Sequence, residues 1–241
     1  MKWEVQLTGD PADLTMLSHS FSEPDMAISD ANGQFVLRST QFEPLQTADT
    51  VRNKAQEIVT AVSGTARLLL GTSQPVGVGA VFAVREDGGR NVFVLASPAT
   101  LRLRGTLASL VVKRADGTVE THYPTEPGPG WVKVALQQEV VARALRLRNT
   151  GTLEWVDLYR LYEVIESDVP ARAIQAKGWV TSSQIERFKR TANSQKAIGD
   201  KARHGKDPYE PPQNSMSLSE ARGLIDSVLK AWLREKAGGS V

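Results

Sequence analysis

The residues best able to do chemistry lie close together near the end of the chain. From Gly178 to Gly205 the sequence brings together Asn193, Asp200, Lys201, Arg203 and His204, preceded by Lys189 and Arg190. An imidazole next to a guanidinium has its charged form disfavoured, which suits a group that passes protons near neutrality. Arg203 and Lys201 are cations able to stabilise phosphate charge, with His204 as acid/base and Asn193 as a polar partner. Residues 171–210 hold nine Lys/Arg against four Asp/Glu, a local excess of five positive charges. The alternative is a polar loop docked on helices, its side chains satisfying backbone groups.

The rest of the chain offers fewer chemistries. With no cysteine there are no disulfides, thiolate nucleophiles or cysteine metal sites. The three histidines, His19, His122 and His204, are far apart in sequence, so no metal site is expected. Gly77-Val78-Gly79 resembles a piece of a phosphate-binding loop but lacks the following helix, so it reads as glycines entering a strand. P-loop, zinc-protease and nucleophile-elbow motifs are absent, and no cofactor is expected. Arg102, Arg104, Lys113 and Arg114 fall on consecutive predicted strands. Sharing a face, they would form a basic strip for nucleic-acid phosphates; otherwise they belong to a solvated sheet surface.

Charge is balanced overall at +2 but unevenly distributed. Residues 1–130 carry 11 basic and 14 acidic side chains, residues 131–241 carry 18 and 13. That asymmetry is weaker than the footprint of a dedicated nucleic-acid protein. No apolar run approaches the roughly 18 residues of a membrane span, and Met1–Leu7 alternates instead of forming a leader. The expectation is a cytoplasmic protein without a membrane partner.

The elements that must position these groups fall into two sets, an α+β domain at 1–126 and a helical domain at 127–241. In the first, Trp3, Val5 and Leu7 share one strand face. Asp10-Pro11 opens a helix carrying Leu14, Leu17 and Phe21. Hairpins are predicted around Asp30–Gly33, Glu86–Arg90 and Ala115–Gly117, the last between strands at Leu107–Lys113 and Thr118–Tyr123. A long helix from Thr47 to Leu70 ends at Gly71. Three hairpins and two helices imply a largely antiparallel sheet.

The Pro/Gly run at 124–130 marks the boundary. Beyond it the spacing predicts helices over Trp131–Leu147, from Gly151 or Thr152 to Val169, and over Ser182–Ala192. Asn193–Ser215 reads as loop. A final helix opens on the Ser217/Glu220 capping box and carries a stripe from Ala221 to Leu233.

The helical half resembles the four-helix HEPN class of bacterial toxin and antiviral defence systems. The resemblance rests on Leu158-Tyr159-Arg160-Leu161-Tyr162-Glu163-Val164-Ile165 and on Ala202-Arg203-His204-Gly205 before the last helix, within about residues 131–236. Ribonuclease members of that class use an Arg followed, after four to six residues, by a His; here Arg203 and His204 are adjacent. Many other members are non-catalytic partner modules. The resemblance therefore implies a non-catalytic bacterial recognition or interaction protein, working through a protein partner or as a homodimer. The alternative is a metal-independent ribonuclease using Arg203, His204 and Asn193, with Lys189, Arg190 and Lys201 as nucleic-acid contacts; a third reading is a sheet-based nucleic-acid binder using Arg102 and Arg104.

Overall fold

The computed structural model describes residues 2–31, 33–72, 74–86, 89–93, 127–203 and 210–238, and the backbone of 110–113 and 119–122. The chain is α+β and divides into two compact units, Met1–Gln137 and Gln138–Val241.

In the first unit, β1 (Lys2–Thr8) leads into α1 (Pro11–Ser20), whose N-cap Asp10 accepts from the amides of Ala12 and Asp13. Next come β2 (Ser22–Glu23), β3 (Met26–Ala31) and β4 (Gln34–Ser39), then α2 (Ala48–Leu70). β5 (Gly77–Val84) and β6 (Arg90–Phe93) follow. These strands form one antiparallel sheet in the order β2-β3-β4-β1-β5-β6. α2 begins at a Thr47/Thr50 capping box and ends at Gly71, which sits at φ +66° as a left-handed cap requires. It packs on β5 and β1, burying Val51, Ala55, Ile58, Val59 and Val62.

Gly77 and Gly79 lie within β5 and explain themselves by contact. Between Val5 and Leu7 the β1–β5 register slips. A Cβ at Gly77 would come within 2.6 Å of Thr8 Oγ1, and one at Gly79 within 2.7 Å of Gln6 Oε1. That same Gln6 oxygen accepts from the Ala80 amide at 3.2 Å. The glycines let the bulged strands approach.

The third hairpin forms, as β7 (Leu110–Lys113) and β8 (Val119–His122), and among the described residues these two strands make a second, two-stranded sheet. The helix predicted over Trp131–Leu147 is two helices: α3 (Gly128–Ala135) and α4 (Glu139–Arg148). α3 packs on α2 and belongs to the first unit. Trp131, Val132 and Ala135 are buried on α3, and Val141, Ala144 and Leu145 on α4. One continuous helix cannot hold both sets on a single stripe, so the chain breaks at Leu136–Gln138.

In the second unit α4 is followed by α5 (Trp155–Asp168), α6 (Ala171–Ala176), α7 (Ser182–Ala192), α8 (Gln195–Ile198) and α9 (Leu218–Lys236). α5 starts later than Gly151/Thr152 because Glu154 and Asp157 form its capping box. α6 fills part of the stretch between two predicted helices, where the sequence spacing predicts no element. α8, with the 3₁₀ turn Gly199–Lys201 after it, does the same in the segment predicted as loop. α5 is the hub, packing on α4, α7 and α9. Arg148 grips Asp226 with two hydrogen bonds, tying α4 to α9.

α9 separates two kinds of stabilisation. Ser217→Ala removes only the cap on the Glu220 amide and should cost about 1 kcal/mol. Leu229→Ala empties a fully buried position and should cost about 2–5 kcal/mol. Urea denaturation of both variants checks the ranking; equal losses would contradict it.

Candidate functional site

The segment singled out for chemistry is anchored on α5. Trp155, Tyr159 and Tyr162 project from one side of that helix towards Phe188 of α7. The Phe188 ring centroid lies 6.2, 5.8 and 6.3 Å from theirs, and Phe188 itself is fully buried. The outer faces of the two tyrosines are covered by cations. Arg203 lies over Tyr159 with its guanidinium carbon 4.1 Å from the ring centre, and Lys189 lies over Tyr162 at 4.7 Å. Each cation also meets a carboxylate one turn along the helix from its aromatic. Arg203 Nη2 donates to Glu163 Oε1 at 2.8 Å, and Lys189 Nζ to Glu166 Oε1 at 2.9 Å.

The same pattern continues to the start of α5. Lys201 Nζ donates to Glu154 Oε2 at 3.1 Å, while Arg222 of α9 donates to Glu154 Oε1 and to the Leu153 carbonyl. Lys189, Lys201 and Arg203 are thus brought together along one helix. Arg190 departs from them. It donates to the Glu210 backbone carbonyl at 2.8 Å and pairs with Glu186, while Lys196 donates to the Glu210 carboxylate. Arg187 is held by Asn214, Ser215 and Glu220.

Asn193 caps the end of α7, its Nδ2 donating to the Lys189 carbonyl at 2.8 Å. One residue earlier, the Ala192 carbonyl accepts from the Arg203 amide at 2.9 Å. Among the described residues, the buried Asn193 Oδ1 and Ser194 Oγ meet no hydrogen-bond donor. His204, Arg102 and Arg104 lie outside the described residues, as does Arg114; for Lys113 and His122 only the backbone is described. His19 is exposed, as its place off the α1 stripe predicts.

The electrostatics follow from these contacts. Burial, reinforced by the negative charge of Glu166, pushes the Tyr162 hydroxyl well above the usual phenol range. It therefore stays protonated near neutrality and donates to Glu166 at 3.2 Å. Asp168, at the far end of α5, accepts from Trp232 Nε1 and Lys236 Nζ, both at 2.8 Å. Burial alone would raise its pKa, but the hydrogen bonds from Lys236 and Trp232 and the Lys236 charge outweigh it and hold the carboxyl below its ordinary range. Among the described residues, no three His, Cys, Asp or Glu side chains gather as a metal site, and no helix is long and apolar enough to cross a membrane.

Comparison with protein-family models, with curated proteins and with solved structures returned no match.

The aromatic row and its three carboxylates were not among the residues marked for chemistry. Their signal is present in the i,i+4 pairs Tyr159/Glu163 and Tyr162/Glu166, facing a basic segment that needs counter-charges.

Asp168 supplies a pH test. A carboxyl held below the usual aspartate value of 3.8 contributes stability that is complete above that value and lost as pH falls through the lower, folded one. Asp168→Asn should therefore be less stable than the parent at neutral pH, with the gap closing below about pH 4. Denaturation midpoints measured across pH check this; a gap independent of pH would contradict it.

Proposed function

We propose that the chain is a non-catalytic recognition and interaction protein. Its α+β unit would engage a ligand or protein, and its helical unit would dock on a protein partner or a second copy. The observation that carries this reading is the state of Arg203. The guanidinium expected to stabilise phosphate charge is laid on Tyr159 and hydrogen-bonded to Glu163. Lys189 and Lys201 are likewise held by Glu166 and Glu154. Anionic carboxylates beside each cation lower the local field that a phosphodiester would meet. These contacts favour a role for the segment in fastening α8 and the turn after it to α5 and α7.

The resemblance of the helical unit to the HEPN class extends the proposal to a bacterial defence or toxin–antitoxin component acting in the cytoplasm. The adjacency of Arg203 and His204 fits a non-catalytic member of that class. The competing reading is a metal-independent ribonuclease.

End-labelled RNA incubated with the purified chain in the presence of a chelator distinguishes the two. The recognition reading predicts no cleavage, and identical results for the parent and His204→Ala. Cleavage by the parent that is abolished in His204→Ala would overturn it.

A further inference from the structure

The sheet of the first unit carries a second cluster of charge. β1 alternates, so Glu4 lies on the face opposite Trp3 and Val5. It is in the middle of the sheet, with its side chain only 7% exposed. Two arginines reach it from strands on either side. Arg38 of β4 contacts Glu4 Oε1 through Nε at 2.8 Å and Nη2 at 2.6 Å. Arg90 of β6 crosses over the Phe82 ring, 5.3 Å from its centre, and brings Nη2 to 2.5 Å from Glu4 Oε2.

A single guanidinium neutralises a buried carboxylate. Here there are two, so the triad carries a net positive charge, and Lys2 adds another on the same face two residues before Glu4. Each guanidinium has five N–H donors in a fixed plane. Arg38 Nε donates to Glu4 Oε1, whereas Arg38 Nη2 and Arg90 Nη2 meet the carboxylate as ion pairs and Glu4 Oε2 accepts no hydrogen bond among the described residues. Among the described residues neither arginine meets another acceptor. The Arg38 side chain is 54% exposed and that of Arg90 31%. The two arginines are therefore oriented by Glu4, with donors and charge left over on the solvent side. Arginines immobilised in advance lose less freedom on binding than free ones. Beside them, across β5–β6, Val92 stands opposite Phe82 in the same register and is 55% exposed, an uncovered apolar surface at the edge of the charged cluster.

We propose that Arg38 and Arg90, oriented by Glu4, form a binding site for a phosphate group, with the exposed Val92 side chain receiving an apolar body attached to it. Planar guanidinium forks match phosphate oxygens bidentately. The site involves none of the residues on α5, so it does not depend on the role assigned to Arg203.

Isothermal titration with two probes, inorganic phosphate and phenyl phosphate, tests the site on the full chain. Both should bind, phenyl phosphate more tightly, and both more weakly as salt is raised. Arg38→Gln and Arg90→Gln should each weaken phenyl phosphate at least about tenfold, with Arg203→Gln unchanged as the control. Circular dichroism and thermal melting of each variant separate lost binding from lost folding. No binding of either probe at millimolar concentration would overturn the proposal, and so would binding unaffected by the arginine substitutions in folded protein. Neither result bears on RNA cleavage, so the two proposals stand or fall separately.

Discussion

The helical unit depends on the burial of one aromatic row. α5 places Trp155, Tyr159 and Tyr162 against Phe188, and most of that surface is removed from water. The tyrosine faces left at the edge need covering. Arg203 and Lys189 cover them with guanidinium and ammonium groups, which must keep their own charge solvated or paired. Glu163 and Glu166 provide the pairing from one turn further along the helix. Three layers follow in order: aromatic, cation, carboxylate. The segment 193–203 is positioned by this stack, because Arg203 is held by Tyr159 and Glu163 and Lys201 is tied to Glu154.

Neither paired cation is worth much as an isolated surface ion pair, for which about 0–1 kcal/mol is typical. What distinguishes Arg203 is that the ring contact and the carboxylate contact act on the same group, and that its backbone amide is also fixed to α7. The local charge excess that suggests nucleic acid in the sequence is therefore largely the set of counter-charges that α5 and α9 require.

Much of the fold was legible because its signals are local. The Asp10 cap, the Thr47 start and Gly71 stop of α2, the turn at Asp30–Gly33 and the Ser217/Glu220 box all act within four residues. What was not legible depends on partners distant in the chain. The break between α3 and α4 involves no proline or glycine. It arises because Trp131 packs with α2 while Leu145 lies in the helical unit, a difference visible only as a slip in stripe phase. β7 and β8 were correctly paired as a hairpin, yet nothing in their own residues says which sheet they join. At the candidate site, Arg203 and Lys201 stood out by residue type, but Glu163, Glu154 and Tyr159 looked like ordinary members of a helix. Likewise the alternation in β1 puts Glu4 on the polar face, but its burial follows from Arg38 and Arg90, which are 34 and 86 residues away.

The central claim is that Arg203 is held by Tyr159 as a structural group. A double-mutant cycle on folding stability, using Arg203→Met, Tyr159→Leu and the pair, measures it directly. The account predicts a favourable coupling of about 1 kcal/mol, allowing for the partial exposure of the arginine. A coupling indistinguishable from zero would contradict it, and would leave the guanidinium available for other work.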